Sequence, residues 1–86
     1  MNSHYIFAAD DSVVEFFSGR TAREREELLR IFRSLAESPH QRGEWRQRSR
    51  SGREHEVKRF GRWLVTFWPD DPASELRVVD VKRIMP

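Results

Sequence analysis

The apolar positions of this chain change period several times, and each change marks an element. Tyr5, Ile6 and Phe7 give the short run from Ser3 to Ala9 the composition of a β-strand. Asp10, Asp11 and Ser12 are helix-capping residue types, and Val13, Val14, Phe16 and Phe17 follow, which predicts a short helix ending near Gly19. Thr21 and Glu24 then form a T-x-x-E capping box, in which each side chain accepts from the other residue's backbone N–H. Leu28, Ile31, Phe32, Leu35 and Ala36 recur at three- and four-residue spacing, so a second, longer helix turns one stripe toward a core. Ser38-Pro39 stops it, and the two helices, joined at Gly19-Arg20, form a hairpin.

From His40 to Gly52 no period holds, and Arg, Ser, Gln and Gly dominate; this predicts a mobile loop pinned by Trp45. Three strands are predicted next, Glu54 to Phe60, Arg62 to Trp68 and Leu76 to Ile84, with a tight turn at Gly61 and a longer one over Pro69 to Ser74. Such short connections imply an antiparallel meander. The expected fold is therefore α+β, in the order β-α-α-β-β-β, with a helical hairpin on one face of an antiparallel sheet and a single domain over residues 1–86. Two-residue alternation predicts that Val57, Trp63, Val65, Phe67, Val79 and Val81 face the helices. Glu56, Lys58, Arg62, Leu64, Thr66, Asp80 and Lys82 would then line an open face, with His55 on the helix side and Arg83 at the strand end free to turn either way.

Charge sharpens this picture. The chain carries a net +2, but Arg42 to Arg62 holds eight Lys or Arg against three Glu, while the flanking segments are both slightly acidic. Seven of the eight cations are arginines, whose planar fork suits bidentate contact with phosphate. A block of this kind is the footprint of a polyanion binder, and Arg42, Trp45, Arg46, Arg48, Arg50 and Arg53 are the candidate RNA contacts. The absence of cysteine excludes disulfides and thiolate metal sites, and His4, His40 and His55 lack metal-ligand spacing, so neither metal nor other cofactor is expected. No apolar run nears the ~20 residues of a membrane span and the start lacks a signal-peptide pattern, so the expected location is a reducing cytoplasm, without membrane association.

In order, length and motifs the chain resembles the RelE/ParE superfamily of toxins from bacterial toxin–antitoxin modules, over roughly Tyr5 to Ile84. The likeness rests on a helix ending in L-x-x-S-P (Leu35 to Pro39), the Arg-rich segment, and Gly61-Arg62-Trp63-Leu64-Val65 at a strand turn. Asp70-Asp71 in a turn and the closing strand Val78-Val79-Asp80-Val81-Lys82-Arg83 complete it. The resemblance implies a cognate antitoxin as partner. It further implies either a ribosome-dependent messenger RNA endonuclease, which works on the ribosome without a metal, or an inhibitor of DNA gyrase.

Cleavage of that kind is attack of a 2′-hydroxyl on the adjoining phosphate, and it needs a base, charge stabilisation and a proton for the leaving oxygen. Carried over from the resemblance, Arg62, Lys58, Lys82 and Arg83 hold the phosphate. Glu56, or His55 if the register slips by one, moves the proton. Tyr5 is the only tyrosine and stands far from the last strand, near which the endonuclease branch commonly carries one. That departure leaves open the gyrase reading and a third, a non-catalytic module that binds RNA or antitoxin.

Overall fold

The computed structural model describes residues 4–84. Its elements are β1 (Ile6–Ala9), α1 (Asp11–Ser18), α2 (Ala22–Glu37), β2 (Trp45–Arg48), β3 (Glu54–Phe60), β4 (Trp63–Asp70) and β5 (Glu75–Arg83). The class is α+β, as expected, with both helices packed on one face of a five-stranded sheet ordered β1-β5-β4-β3-β2. The start of the predicted first strand, Ser3, lies outside the described residues.

The capping box at Thr21 forms as read: Glu24 N donates to Thr21 Oγ1 and Thr21 N donates to Glu24 Oε1, each at 3.1 Å. The stripe of α2 delivers Leu28, Phe32 and Leu35 into the core, where they meet Val13 of α1 and Trp63, Val65, Phe67, Leu76, Val78 and Val81 of the sheet. β3, β4 and β5 form the expected antiparallel meander.

Four expectations need correction. The sheet is mixed, because β1 pairs with β5 in parallel, Phe7 opposite Leu76 and Ala9 opposite Val78. The segment expected to be an irregular loop contains β2, which pairs with β3 in antiparallel register. Arg46 falls opposite Glu56 and Arg48 opposite Glu54, so the alternating charges that hide any hydrophobic period are complementary across the ladder. Gly52, at φ +87°, lets the hairpin close, with Ser49 N donating to Arg53 O at 2.8 Å.

Third, β3 faces the opposite way from the expectation. Gly61-Arg62 is a two-residue turn, so Phe60 lies directly opposite Trp63, Lys58 opposite Val65, and Glu56 opposite Phe67. Directly opposed residues share a face. Glu56 and Lys58 are therefore on the helix side, and Val57, opposite Thr66, is on the other side, where it is nonetheless buried. Fourth, a bulge in β5 pairs Phe67 with Val78 and Thr66 with Asp80, leaving Val79 without a partner. Val78 enters the core in the place expected of Val79, which stands half-buried on the opposite face.

Candidate functional site

These registers divide the candidate residues between the two faces of the sheet. Glu56, Lys58, Arg62 and Arg83 lie on the helix side, Arg62 and Arg83 as one pair and Glu56 and Lys58 apart from them. His55 and Lys82 lie on the other, Lys82 opposite Leu64 and His55 opposite Gln47. A single open cationic face holding Arg62 and Lys82 side by side does not form.

On the helix side, Arg62 leaves the β3–β4 turn toward α2. Its Nε and Nη2 donate to the two carboxylate oxygens of Glu27, at 3.2 and 2.9 Å, and the indole Nε1 of Trp63 donates to Glu27 Oε1 at 2.7 Å. One turn earlier, Glu24 Oε2 accepts from Arg83 Nη1 at 3.0 Å and lies 4.0 Å from Arg62 Nη2. Glu24 thus draws Arg62 and Arg83 into one cluster at the start of α2. The Trp63 indole and then Arg62 hold the Glu27 carboxyl below its ordinary range; the Thr21 backbone N–H, with Arg83 beside it, does the same for Glu24. Both guanidinium groups are consequently held by carboxylates.

Lys58 and Glu56 serve the chain that follows α2. Lys58 Nζ donates to Gln41 Oε1 at 2.7 Å and lies 5.3 Å from the centre of the Phe60 ring. Glu56 accepts from Gly43 N at 2.7 Å and from Arg46 Nε at 3.1 Å, which makes it a staple between β3 and the segment entering β2. A carboxylate engaged in this way is poorly placed to take a proton from a substrate hydroxyl. On the other face the His55 ring stacks on Trp68, centres 6.5 Å apart and planes within 13°. Burial, then the nearby Arg53, pushes the His55 pKa down.

The arginine block is presented by the β2–β3 hairpin. Arg46 and Arg48 project to the helix side with their partners Glu56 and Glu54, and Trp45 and Gln47 project to the other side. Trp45 stays 47% exposed. Arg48 Nη1 donates to Gly52 O at 3.3 Å, and the Arg53 guanidinium lies 3.8 Å over the Trp68 ring. Among the described residues, Arg42, Arg48, Arg50 and Arg53 have no carboxylate within ion-pair distance, in contrast to Arg46, Arg62, Arg77 and Arg83.

The sequence reading missed Glu24 and Glu27. The capping box announced where Glu24 sits, but nothing in one dimension announced that α2 would lie over the β3–β4 turn. It also missed a clip at one end of the sheet, where Asp71 Oδ1 accepts from Tyr5 Oη at 2.6 Å and lies 2.7 Å from His40 Nε2. Among the described residues no group of His, Asp and Glu has the geometry of a metal site, and no helix is long and apolar enough to cross a membrane. No protein-family model, curated protein or solved structure matches the chain.

Proposed function

We propose that this protein is the toxin of a bacterial toxin–antitoxin module and that it acts on RNA by binding, with the β2–β3 hairpin as the element that holds phosphates. The observation that carries this reading is the contrast between the two sets of arginines. Arg48, Arg50 and Arg53 of the hairpin have no carboxylate within ion-pair distance, whereas the two arginines best placed to clamp a scissile phosphate are already neutralised by Glu24 and Glu27. Exposed, uncompensated arginines on a two-stranded ribbon favour phosphate contact and counterion release. An antitoxin with acidic side chains suits the same surface. Binding of single-stranded RNA should weaken with salt by about 0.7 decades per decade of salt for each phosphate held. A triple R48A/R50A/R53A variant should flatten that slope by about 2, the contribution of three phosphates. A slope that is flat already in the wild type removes the polyanion component.

Message cleavage on the ribosome is the second reading, and one observation favours it: Lys58, Arg62, Arg83 and Glu56 do share a face, and Glu24 draws two of them together. On this reading an incoming phosphate displaces Glu27 from Arg62 and Glu24 from Arg83, and both guanidinium groups turn onto the phosphorane. Induced expression in bacteria separates the possibilities. Growth arrest relieved by R62A and R83A, with cut messages, supports cleavage. Arrest without cut messages supports binding, and a loss of gyrase supercoiling in lysates transfers the proposal to the gyrase branch.

A further inference from the structure

The face of the sheet away from the helices is not flat. Beside the bulge at Val79, residues of the β2–β3 hairpin tip and of β4 and β5 line an open depression of roughly 480 Å³. Its lining combines an aromatic platform with polar groups of both signs: Trp68 and His55, Arg53, Asp70, and the hydroxyl-bearing Ser49 and Ser51. The platform is already assembled. The Arg53 guanidinium lies 3.8 Å over the Trp68 ring, and the His55 ring runs parallel beside it. Trp68 and Asp70 are two apart on β4 and so project to the same face, and Arg77, opposite Trp68, is held by Asp10 and Glu75 at 3.1 and 3.3 Å. Asp70, by contrast, has no side-chain hydrogen bond or ion pair among the described residues.

We propose that this depression takes one unpaired guanine of an RNA strand whose phosphates follow the arginines of the hairpin; this deepens, and rests on, the RNA-binding reading above. Indole rings and guanidinium planes are both stacking surfaces for an unpaired base. The carboxylate selects among bases. Guanine presents two adjacent N–H donors, at N1 and N2, that match two carboxylate oxygens. Uracil presents one N–H flanked by carbonyls that a carboxylate repels. At the hairpin tip Ser49 Oγ lies 2.9 Å from Ser51 Oγ and accepts from Arg53 N at 3.2 Å, and exposed Arg50, between the two serines in the chain, is the cation that a flanking phosphate would meet. Burial, then Arg53, pushes the half-buried His55 toward its neutral form, so it contributes ring area rather than charge.

The test uses two labelled hexamers, uridine throughout or with one central guanosine, titrated by fluorescence anisotropy against the full chain. The guanosine hexamer should bind about tenfold more tightly, and D70N should erase that preference. W68L should cost about tenfold in affinity, the scale of losing one stacked base, and should leave the salt slope unchanged, because stacking releases no counterions. W68F, which keeps a ring, should stay within about threefold of wild type and shows that the site survives substitution at this position. Shifts of the His55 ring resonances on adding the guanosine hexamer report contact directly. If W68L and D70N bind both hexamers as the wild type does, with the wild-type salt slope, the pocket is wrong while the hairpin reading stands. If neither hexamer binds at low salt, the RNA-binding reading fails and takes the pocket with it.

Discussion

Glu27 receives three N–H donors on two oxygens, two from Arg62 and one from Trp63, and so fixes both residues that follow Gly61. Replacing it with Gln keeps an acceptor for the indole and removes the charge that holds Arg62. The freed guanidinium should then join the RNA contacts: E27Q is expected to bind single-stranded RNA more tightly at low salt and to steepen the salt slope by about the 0.7 of one phosphate. Anisotropy titrations at three salt concentrations check this, and an unchanged slope means that Arg62 lies outside the RNA path. Gly43 is decisive in a different way. A Cβ there would stand 2.7 Å from the carbonyl carbon and the amide nitrogen of Val57, and these are backbone atoms of a central ladder that cannot swing aside. G43A should therefore cost about 1–3 kcal/mol in urea melts through displacement of the β2–β3 pairing.

At the scale of elements, the hairpin β3–β4 shows what the sequence disclosed and what it withheld. The two strands and the turn between them were legible from composition and from Gly61. Their facing was legible too, but in the turn rather than in the hydrophobic pattern. A two-residue loop forces Phe60 opposite Trp63, and every later pair follows from that. Grouping Val57 with Trp63 by hydrophobicity gave the opposite parity and misplaced Glu56, Lys58 and His55. Val79 escaped for another reason, since a bulge inserts a residue without a compositional sign. β2 was illegible because its side chains are all exposed, so no hydrophobic period marks it. The cation cluster on the helix side depended on long-range docking of α2 over the turn, which no local pattern encodes. Gly61, at φ +59° in the first position of its turn, supplies a test of that control. G61A forces a side chain into the left-handed region, which costs about 1–2 kcal/mol. Its urea midpoint should fall accordingly, and amide exchange should quicken first at Phe60 to Leu64.

At the scale of the whole molecule, three carboxylates tie together segments that are distant in sequence. Glu24 joins α2 to the end of β5, Glu27 joins α2 to the β3–β4 turn, and Asp71 joins the β4–β5 turn to Tyr5 and His40. All three have pKa values pushed down: Glu24 chiefly by the Thr21 N–H, Glu27 by the Trp63 indole, Asp71 by the Tyr5 hydroxyl. A carboxyl with a depressed folded-state pKa stabilises the fold fully above its unfolded value, about 4. That stabilisation is lost as pH falls through the lower folded value. His55 adds an earlier phase of the same sign. Its folded pKa is also lowered, by burial first, so its contribution is complete above about 6.5 and declines below that. Thermal melts should therefore be level above pH 7, decline gently toward pH 5, and fall steeply below about pH 4.5, where the chain becomes strongly cationic as its ties release. H55Q should remove the gentle phase alone. The E24Q/E27Q double variant should melt below wild type at pH 7, with the gap narrowing as pH falls through the lowered carboxyl values, because acid protonates in the wild type the groups that the variant has already neutralised. Melting curves for the two proteins that stay parallel as pH falls from 7 into the acid range would mean that the charge on these carboxylates contributes nothing to holding α2 against the sheet.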